Sequence, residues 1–151
     1  LNPPKIAAGT VSCTGNTYCS FAMTNTKDIA VKVANELDKE LELPEEIKIH
    51  WTGCPNSCGQ AYMGAIGLTG KKAKDSRGKT VEAYEISVGG KQGPSYTIGK
   101  SRYKSVTKYE LKNVLKNILI EDFSAVSKRV YLNPVNRLKN FLKSAENNNT
   151  S

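Results

Sequence analysis

Four cysteines carry the chemistry this sequence can offer, and they come in two pairs. Cys13 and Cys19 enclose five residues; Cys54 and Cys58 enclose three. Thiols at such spacings close disulfides, hold a zinc ion, or hold an iron–sulfur cluster. A chain of 151 residues can build a core without covalent staples. Its N-terminus, "LNPPKIAAGTVS", has no charged-then-apolar signal design, so little calls for disulfides. Four thiolates would close a tetrahedral zinc site, but zinc arms usually enclose about two to four residues, and the first pair is wider than that. A [4Fe–4S] cluster also takes four thiolates and, being larger, tolerates wider loops. Spacing therefore favours a cluster over zinc and zinc over disulfides, while leaving all three open.

The second pair lies in "HWTGCPNSCGQ", His50 to Gln60. Gly53, Pro55 and Gly59 leave room for backbone to pass close to a cofactor, and exposed N–H groups there can hydrogen-bond sulfur. Asn56 and Gln60 flank Cys58 and are candidate hydrogen-bonding partners of a cofactor, although turn propensity explains Asn56 equally well. His50 could ligate a metal or donate a proton, but a strand-end histidine packed beside Trp51 is the simpler expectation.

The elements that must position these residues are legible in part. Leu1 to Gly9 reads as an extended approach, with Pro3 and Pro4 excluding an early helix. From about Asn25 the spacing of Ile29, Val33 and Leu37, with Ala30 and Ala34 beside them, predicts a helix capped by Thr26 and closed before Leu43-Pro44. "EIKIHW" predicts a short strand with Ile47 and Ile49 inward and Lys48 and His50 outward, running straight into the cysteine loop. "YMGAIGL" and "TVEAYEISVGG" predict a hairpin turning at "DSRG"; Val81 and Ala83 lie on one face, and Ile86 and Val88 follow a change of face. After a loop through Gly93-Pro94, "TKYELKNVLKNILIEDF" predicts a helix with a Thr107/Glu110 capping box and an apolar face of Leu111, Val114, Leu115, Ile118 and Leu119. "NPVNRLKNFLK" predicts one more short amphipathic segment, with Asn133 as cap and Pro134 at the first helical position. "NTS" at Asn149 fits a glycosylation sequon. The order helix, strand, cysteine loop, hairpin, helix gives the fold class: α/β in the mixed α+β sense, a mixed sheet with flanking helices.

Composition narrows the partners. The chain is 38% hydrophobic and 24% charged, with a net charge of +8 and a pI near 9.3. That balance suits acidic partners. No apolar run reaches the ~18 residues of a membrane span. Nothing resembles a groove-reading helix or an aromatic stacking platform, so neither membrane nor nucleic acid is expected as a partner. "GPSYTIGKS" approaches a phosphate-binding loop, but Pro94 occupies the position that needs glycine and removes an N–H the loop would present.

Together, "CTGNTYC" and "HWTGCPNSCGQ" resemble the second cysteine-bearing half of the sirohaem nitrite and sulfite reductases. The "CTGN", "TGCPNSCGQ" and "IGLTG…VGG" wording is closer to the ferredoxin-dependent nitrite reductases than to the sulfite reductases. The resemblance runs from about residue 10 to residue 125. It implies that Cys13, Cys19, Cys54 and Cys58 hold a [4Fe–4S] cluster, with the Cys58 sulfur also the axial ligand of the sirohaem iron. It implies six-electron reduction of nitrite to ammonium in nitrate assimilation, with ferredoxin as electron donor, in a photosynthetic bacterium's cytoplasm or a plastid stroma. The alternatives are sulfite reduction to sulfide, a non-enzymatic iron–sulfur carrier, or a zinc-stabilised binding module. The family's substrate-binding arginines and lysines belong to an N-terminal part that this chain does not contain. No catalytic residue is therefore expected here, and alone the chain is expected to be inactive. Residues 1–125 are expected to form the cluster- and sirohaem-binding domain and 126–151 an extension. Lys71, Lys72, Lys74, Lys79, Lys100, Arg102 and Lys104 are candidates to meet ferredoxin or the sirohaem carboxylates, with a solvated surface as the bland alternative.

Overall fold

The computed structural model describes residues 3–128. A short helix α1 (Lys5–Ala8) leads into strand β1 (Thr10–Ser12), followed by helix α2 (Lys27–Glu40), β2 (Leu41–Glu42) and β3 (Ile49–Thr52). A 3₁₀ turn (Ala61–Met63) precedes β4 (Ile66–Lys74), β5 (Thr80–Val88), β6 (Lys100–Thr107), α3 (Leu111–Asp122) and β7 (Val126–Ser127). Five strands form one sheet in the order β1-β3-β4-β5-β6, and β2 pairs separately with β7. β1, β3 and β4 run parallel, whereas β4-β5 and β5-β6 are antiparallel. The expected mixed sheet with flanking helices is therefore present.

Parallel pairing explains most of the architecture. Two parallel neighbours cannot be joined by a tight turn, so the chain must cross a face of the sheet between them. Between β1 and β3 that crossing contains the first cysteine pair and α2. Between β3 and β4 it is the segment 53–65, the second cysteine loop and the 3₁₀ turn. α2 lays Ala30, Val33, Ala34 and Leu37 against one face of the sheet, and α3 adds Leu111, Leu115, Ile118 and Leu119. Between them Ile49, Trp51, Ile66, Leu68, Tyr84 and Ile86 complete the core, with Trp51 and Tyr84 edge-to-face at 5.6 Å. Burial pushes the Tyr84 phenol well above its ordinary range, and its hydroxyl donates to Asn25 O at 2.6 Å.

Several expectations change. Pro3 and Pro4 do not forbid an early helix: Pro4 caps α1, where a fixed φ and a missing N–H cost nothing, and the Asp38 carboxylate accepts the N–H groups of Ile6 and Ala7. β1 and β6 join the sheet although neither has an apolar alternation. Thr26 stands at the N-cap of α2, but its hydroxyl donates to Cys13 O at 2.7 Å, and the Asn25 side chain accepts the N–H of Ile29 instead. The Thr107 hydroxyl meets the Glu110 carboxylate side chain to side chain, and α3 starts after Glu110 rather than after Thr107. Gly99-Lys100-Ser101 opens a strand, not the helix a phosphate loop requires. His50 is buried, not outward, because segment 53–65 covers the second face of β3. The hairpin turns at "DSRG" as expected: Gly78 has φ +78°, and the Asp75 carboxylate accepts the N–H groups of Arg77 and Lys79. The amphipathic segment at 133–143 and Asn149 lie outside the described residues.

Candidate metal centre

Both cysteine arms leave the carboxyl ends of neighbouring parallel strands, the end of an open α/β sheet where ligands collect. Ser12 pairs in register with Trp51, so Cys13 follows β1 beside the place where Thr52-Gly53 leads into Cys54. All four cysteines are free thiols; Cys54 is buried, Cys13 and Cys19 half-buried, and Cys58 exposed. They line one cavity of about 300 Å³, together with Thr14, Gly15, Lys27 and Thr52. Among the described residues, no three His, Cys, Asp or Glu side chains gather closely enough for a single ion. A four-thiol wall around a cavity of that size fits a cluster in its donor chemistry. The larger cavity, about 520 Å³, opens at the other end of the sheet between Ile47, Met63, Gln92 and Phe123 and contains no cysteine.

The two arms are locked together by backbone. Cys13 N–H donates to Trp51 O at 3.0 Å and Met23 N–H to Gly53 O at 2.8 Å, while Asn16 N–H donates to Thr24 O at 3.0 Å within the first arm. Gly53 N–H donates to the Cys13 sulfur at 3.2 Å. Burial alone would raise the Cys13 thiol, but the N–H groups of Gly53 and Gly15 and the hydroxyls of Thr26 and Thr52 outweigh it, holding the group below its ordinary value. The N-terminal end of α2 lies beside the cavity through Thr26 and Lys27, an arrangement that favours negative charge there.

Protein contacts by themselves already require glycine at positions 53 and 59. A Cβ on Gly59 would lie 2.2 Å from Trp51 O, and one on Gly53 would lie 2.8 Å from the Ala22 Cβ. Asn56 and Gln60 are exposed and do not line the cavity. Gln60 acts through its backbone, capping the 3₁₀ turn in a left-handed conformation at φ +53°.

These features meet a known pattern. Residues 7–143 match the nitrite and sulphite reductase 4Fe-4S domain family. The chain belongs to that family. It is 46% identical over 123 residues to the ferredoxin–nitrite reductase of Synechococcus elongatus, an alignment covering 82% of this chain and 24% of that protein. It is 43% identical over 124 residues to the chloroplastic ferredoxin–nitrite reductase of Zea mays, covering 82% and 22%. The chain thus spans about a quarter of the length of these relatives. Among solved structures, Mycobacterium tuberculosis NirA superposes with a TM-score of 0.70 at 25% identity, covering 78% of this chain and 23% of that one. Dissimilatory sulfite reductase I shares the fold, with a TM-score of 0.59 at 15% identity.

Within this 4Fe-4S domain, Lys27, Thr26 and Thr52 are site residues that sequence reasoning misses. One signal was available: a lysine in the first turn of a helix opposes the helix dipole, so it needs another reason to be there. Among the candidate cations, Arg102 is engaged with Glu121 and Asp122 at the end of α3. Lys72 reaches Glu82 at 4.0 Å, and Lys71 donates to Lys104 O at 2.9 Å. Lys74 and Lys79 are exposed on the β4-β5 hairpin. No helix among the described residues is long and apolar enough to cross a membrane.

Proposed function

We propose that this chain is the cluster- and sirohaem-binding part of a ferredoxin-dependent nitrite reductase. Cys13, Cys19, Cys54 and Cys58 would hold the [4Fe–4S] cluster, and Cys58 would also ligate the sirohaem iron. The observation that carries this reading is that all four cysteines line one cavity at the carboxyl ends of β1 and β3. Bound together, the two groups supply electrons one at a time for the six-electron reduction of nitrite to ammonium. The chain's own contribution is to hold the anionic centre: N–H groups of Gly53 and Gly15 and hydroxyls of Thr26 and Thr52 face the Cys13 sulfur, and the start of α2 brings positive potential to the same wall. Exposure of Cys58 at the cavity rim suits a ligand shared with a second group. Asn56 and Gln60 lie exposed on either side of it, available to a macrocycle.

Residues 1–125 would form this binding unit, with 126–151 as an extension whose first residues pair with β2. Nitrite contacts would come from the remaining part of the enzyme. Reduced ferredoxin, an acidic carrier, would be the donor, drawn by the net charge of +8. By kinship with cyanobacterial and plastid relatives, the enzyme would work in a photosynthetic cytoplasm or a plastid stroma.

The test is an optical spectrum and turnover assay of the anaerobically purified full-length protein. Cluster absorption with added sirohaem bands and preferential nitrite turnover is the expected result. Preferential sulfite turnover would move the enzyme to the sulfite branch of the family. Cluster absorption without haem would make it a carrier, and a colourless zinc protein would sink the reading. Cys58→Ser should abolish haem–cluster coupling and nitrite reduction; coupled spectra in that variant would refute its bridging role.

A further inference from the structure

Buried side chains with ionisable nitrogen are scarce among the described residues, and His50 is 3% exposed. Its Nδ1 lies 3.0 Å from Gly59 O and 3.1 Å from Gln60 O. Carbonyl oxygens only accept, so Nδ1 carries the hydrogen and shares it between them. Nε2, on the other side of the ring, lies 3.5 Å from the Gln92 side-chain amide. The two gripped carbonyls belong to the two residues that immediately follow Cys58.

The loop needs such a grip. Ser57 and Gln60 both adopt left-handed backbone, at φ +57° and +53°, and neither is glycine. L-residues hold that conformation only where the surroundings impose it. Ser57 N–H reaches back to Cys54 O at 3.3 Å, Gln60 N–H to Ser57 O at 2.8 Å, and Gly59 N–H to the Thr52 hydroxyl at 3.3 Å. These bonds coil the loop upon itself and tie it to the end of β3. The histidine ring is the strut from the middle of β3 to the residues just beyond Cys58.

We propose that His50 is the positioning residue for Cys58: its Nδ1–H fixes the Gly59 and Gln60 carbonyls, and through them the direction in which the Cys58 sulfur faces the cavity. This rests on the assignment of Cys58 as a cluster ligand. It gives the histidine a donor's role one and two residues along the chain from the ligand Cys58, distinct from both ligation and simple core packing. A ring needed only for its volume would be replaceable by leucine; a ring needed for its donor would be replaceable by a side chain that sets an N–H in the same place. Asparagine does so, because its amide nitrogen is as many bonds from Cα as Nδ1 is. Glutamine sets the N–H one bond further out.

The test uses the full-length protein loaded with its cluster, in His50→Leu, His50→Asn and His50→Gln forms, reading bound iron and the electron paramagnetic resonance of the reduced cluster. The expected result is a shift in the principal g values in the leucine variant, with the asparagine variant returned to the wild-type spectrum and glutamine shifted. A wild-type spectrum in an iron-replete leucine variant overturns the proposal. So does an asparagine variant as perturbed as leucine, or one unable to retain iron. Where the leucine variant loses its iron, asparagine and glutamine decide between them: wild-type asparagine with shifted glutamine supports the proposal, and identical spectra overturn it. Cys58→Ser separates the two layers. An unchanged cluster spectrum there removes the ligand assignment itself, whereas a changed one beside an unaffected His50→Leu removes only the positioning role.

Discussion

The two cysteine arms solve the same task with opposite means. The Cys54–Cys58 arm is short, begins at the end of a strand covered on both faces, and is clamped from beneath by His50 and Thr52. The Cys13–Cys19 arm is long and open to solvent: Tyr18 and Phe21 are 81% and 75% exposed. Backbone bonds from Cys13 and Met23 hold its two ends, and it is also fastened from the side, where the Glu82 carboxylate on β5 accepts the Asn16 amide at 2.7 Å and the Asn25 N–H at 3.3 Å. One arm is rigid because the sheet leaves it no other path; the other is held by a few polar contacts that water can contest. A multi-thiol centre needs fixed geometry, and here the parallel β1-β3 pair supplies the frame to which the looser arm is tied.

The two glycines test that contrast most severely. In Gly59→Ala the new methyl meets the Trp51 carbonyl, backbone that cannot yield. A loss of about 4 kcal/mol in stability, together with loss of bound iron, is expected. In Gly53→Ala the methyl would lie 2.8 Å from the Ala22 Cβ and 3.2 Å from Thr24 O, a milder overlap that needs the looser arm to move as a unit, so about 1–2 kcal/mol is expected. Thermal unfolding of both variants checks the difference, and equal losses would mean that the arms are equally rigid.

Glu82→Ala should release the open arm alone. Its polar contacts are worth about 1–2 kcal/mol, which corresponds to roughly tenfold faster chymotryptic cleavage at Tyr18 or Phe21 where cleavage follows local opening. Unchanged cleavage would show that Glu82 is not the fastening. Lys27→Ala removes a cation from the cavity wall without touching either clamp. Reduction adds negative charge, so the cluster potential should fall, by on the order of 50 mV; potentiometric titration reads the change, and a rise would contradict the placement.

The smallest effect lies away from both arms. Hydrogen bonds from Lys112 and Lys116 hold the Glu40 carboxyl below its ordinary range. Because the folded-state value is depressed, its contribution exists above the unfolded-state value and fades as pH falls through the folded-state value. Glu40→Gln should therefore cost a few tenths of a kcal/mol at neutral pH and nothing in strong acid. Denaturation at both pH values measures this, and neither arm's iron binding should change.

Legibility in the sequence followed burial. α2 and α3 were readable because one face of each is apolar at helical spacing, and β5 because its core residues alternate and then change face at Ala83-Tyr84. β6, "KSRYKSVT", was not: it is an edge strand that commits only Tyr103 and Val106 to the core and keeps lysine and arginine outside, as edges must. β1 is three residues long, too short for any period to show. In the site, the four cysteines and their spacing were legible, since thiol chemistry limits the alternatives to three. Lys27, the side-chain grip of Glu82 and the burial of His50 were not, because each depends on contacts made across the tertiary fold or on a face covered by a crossing loop.

The donor set, the wide and narrow loops that carry it and the amphipathic helices can be read along the chain, because residue type and local period are properties of short stretches. Tertiary structure decided that both loops open at the same end of the sheet, that the second is a crossover lying on His50, and that a charged helix start faces the thiols. These are consequences of parallel pairing among β1, β3 and β4. Which strands lie side by side is set by long-range packing, and no local pattern records it.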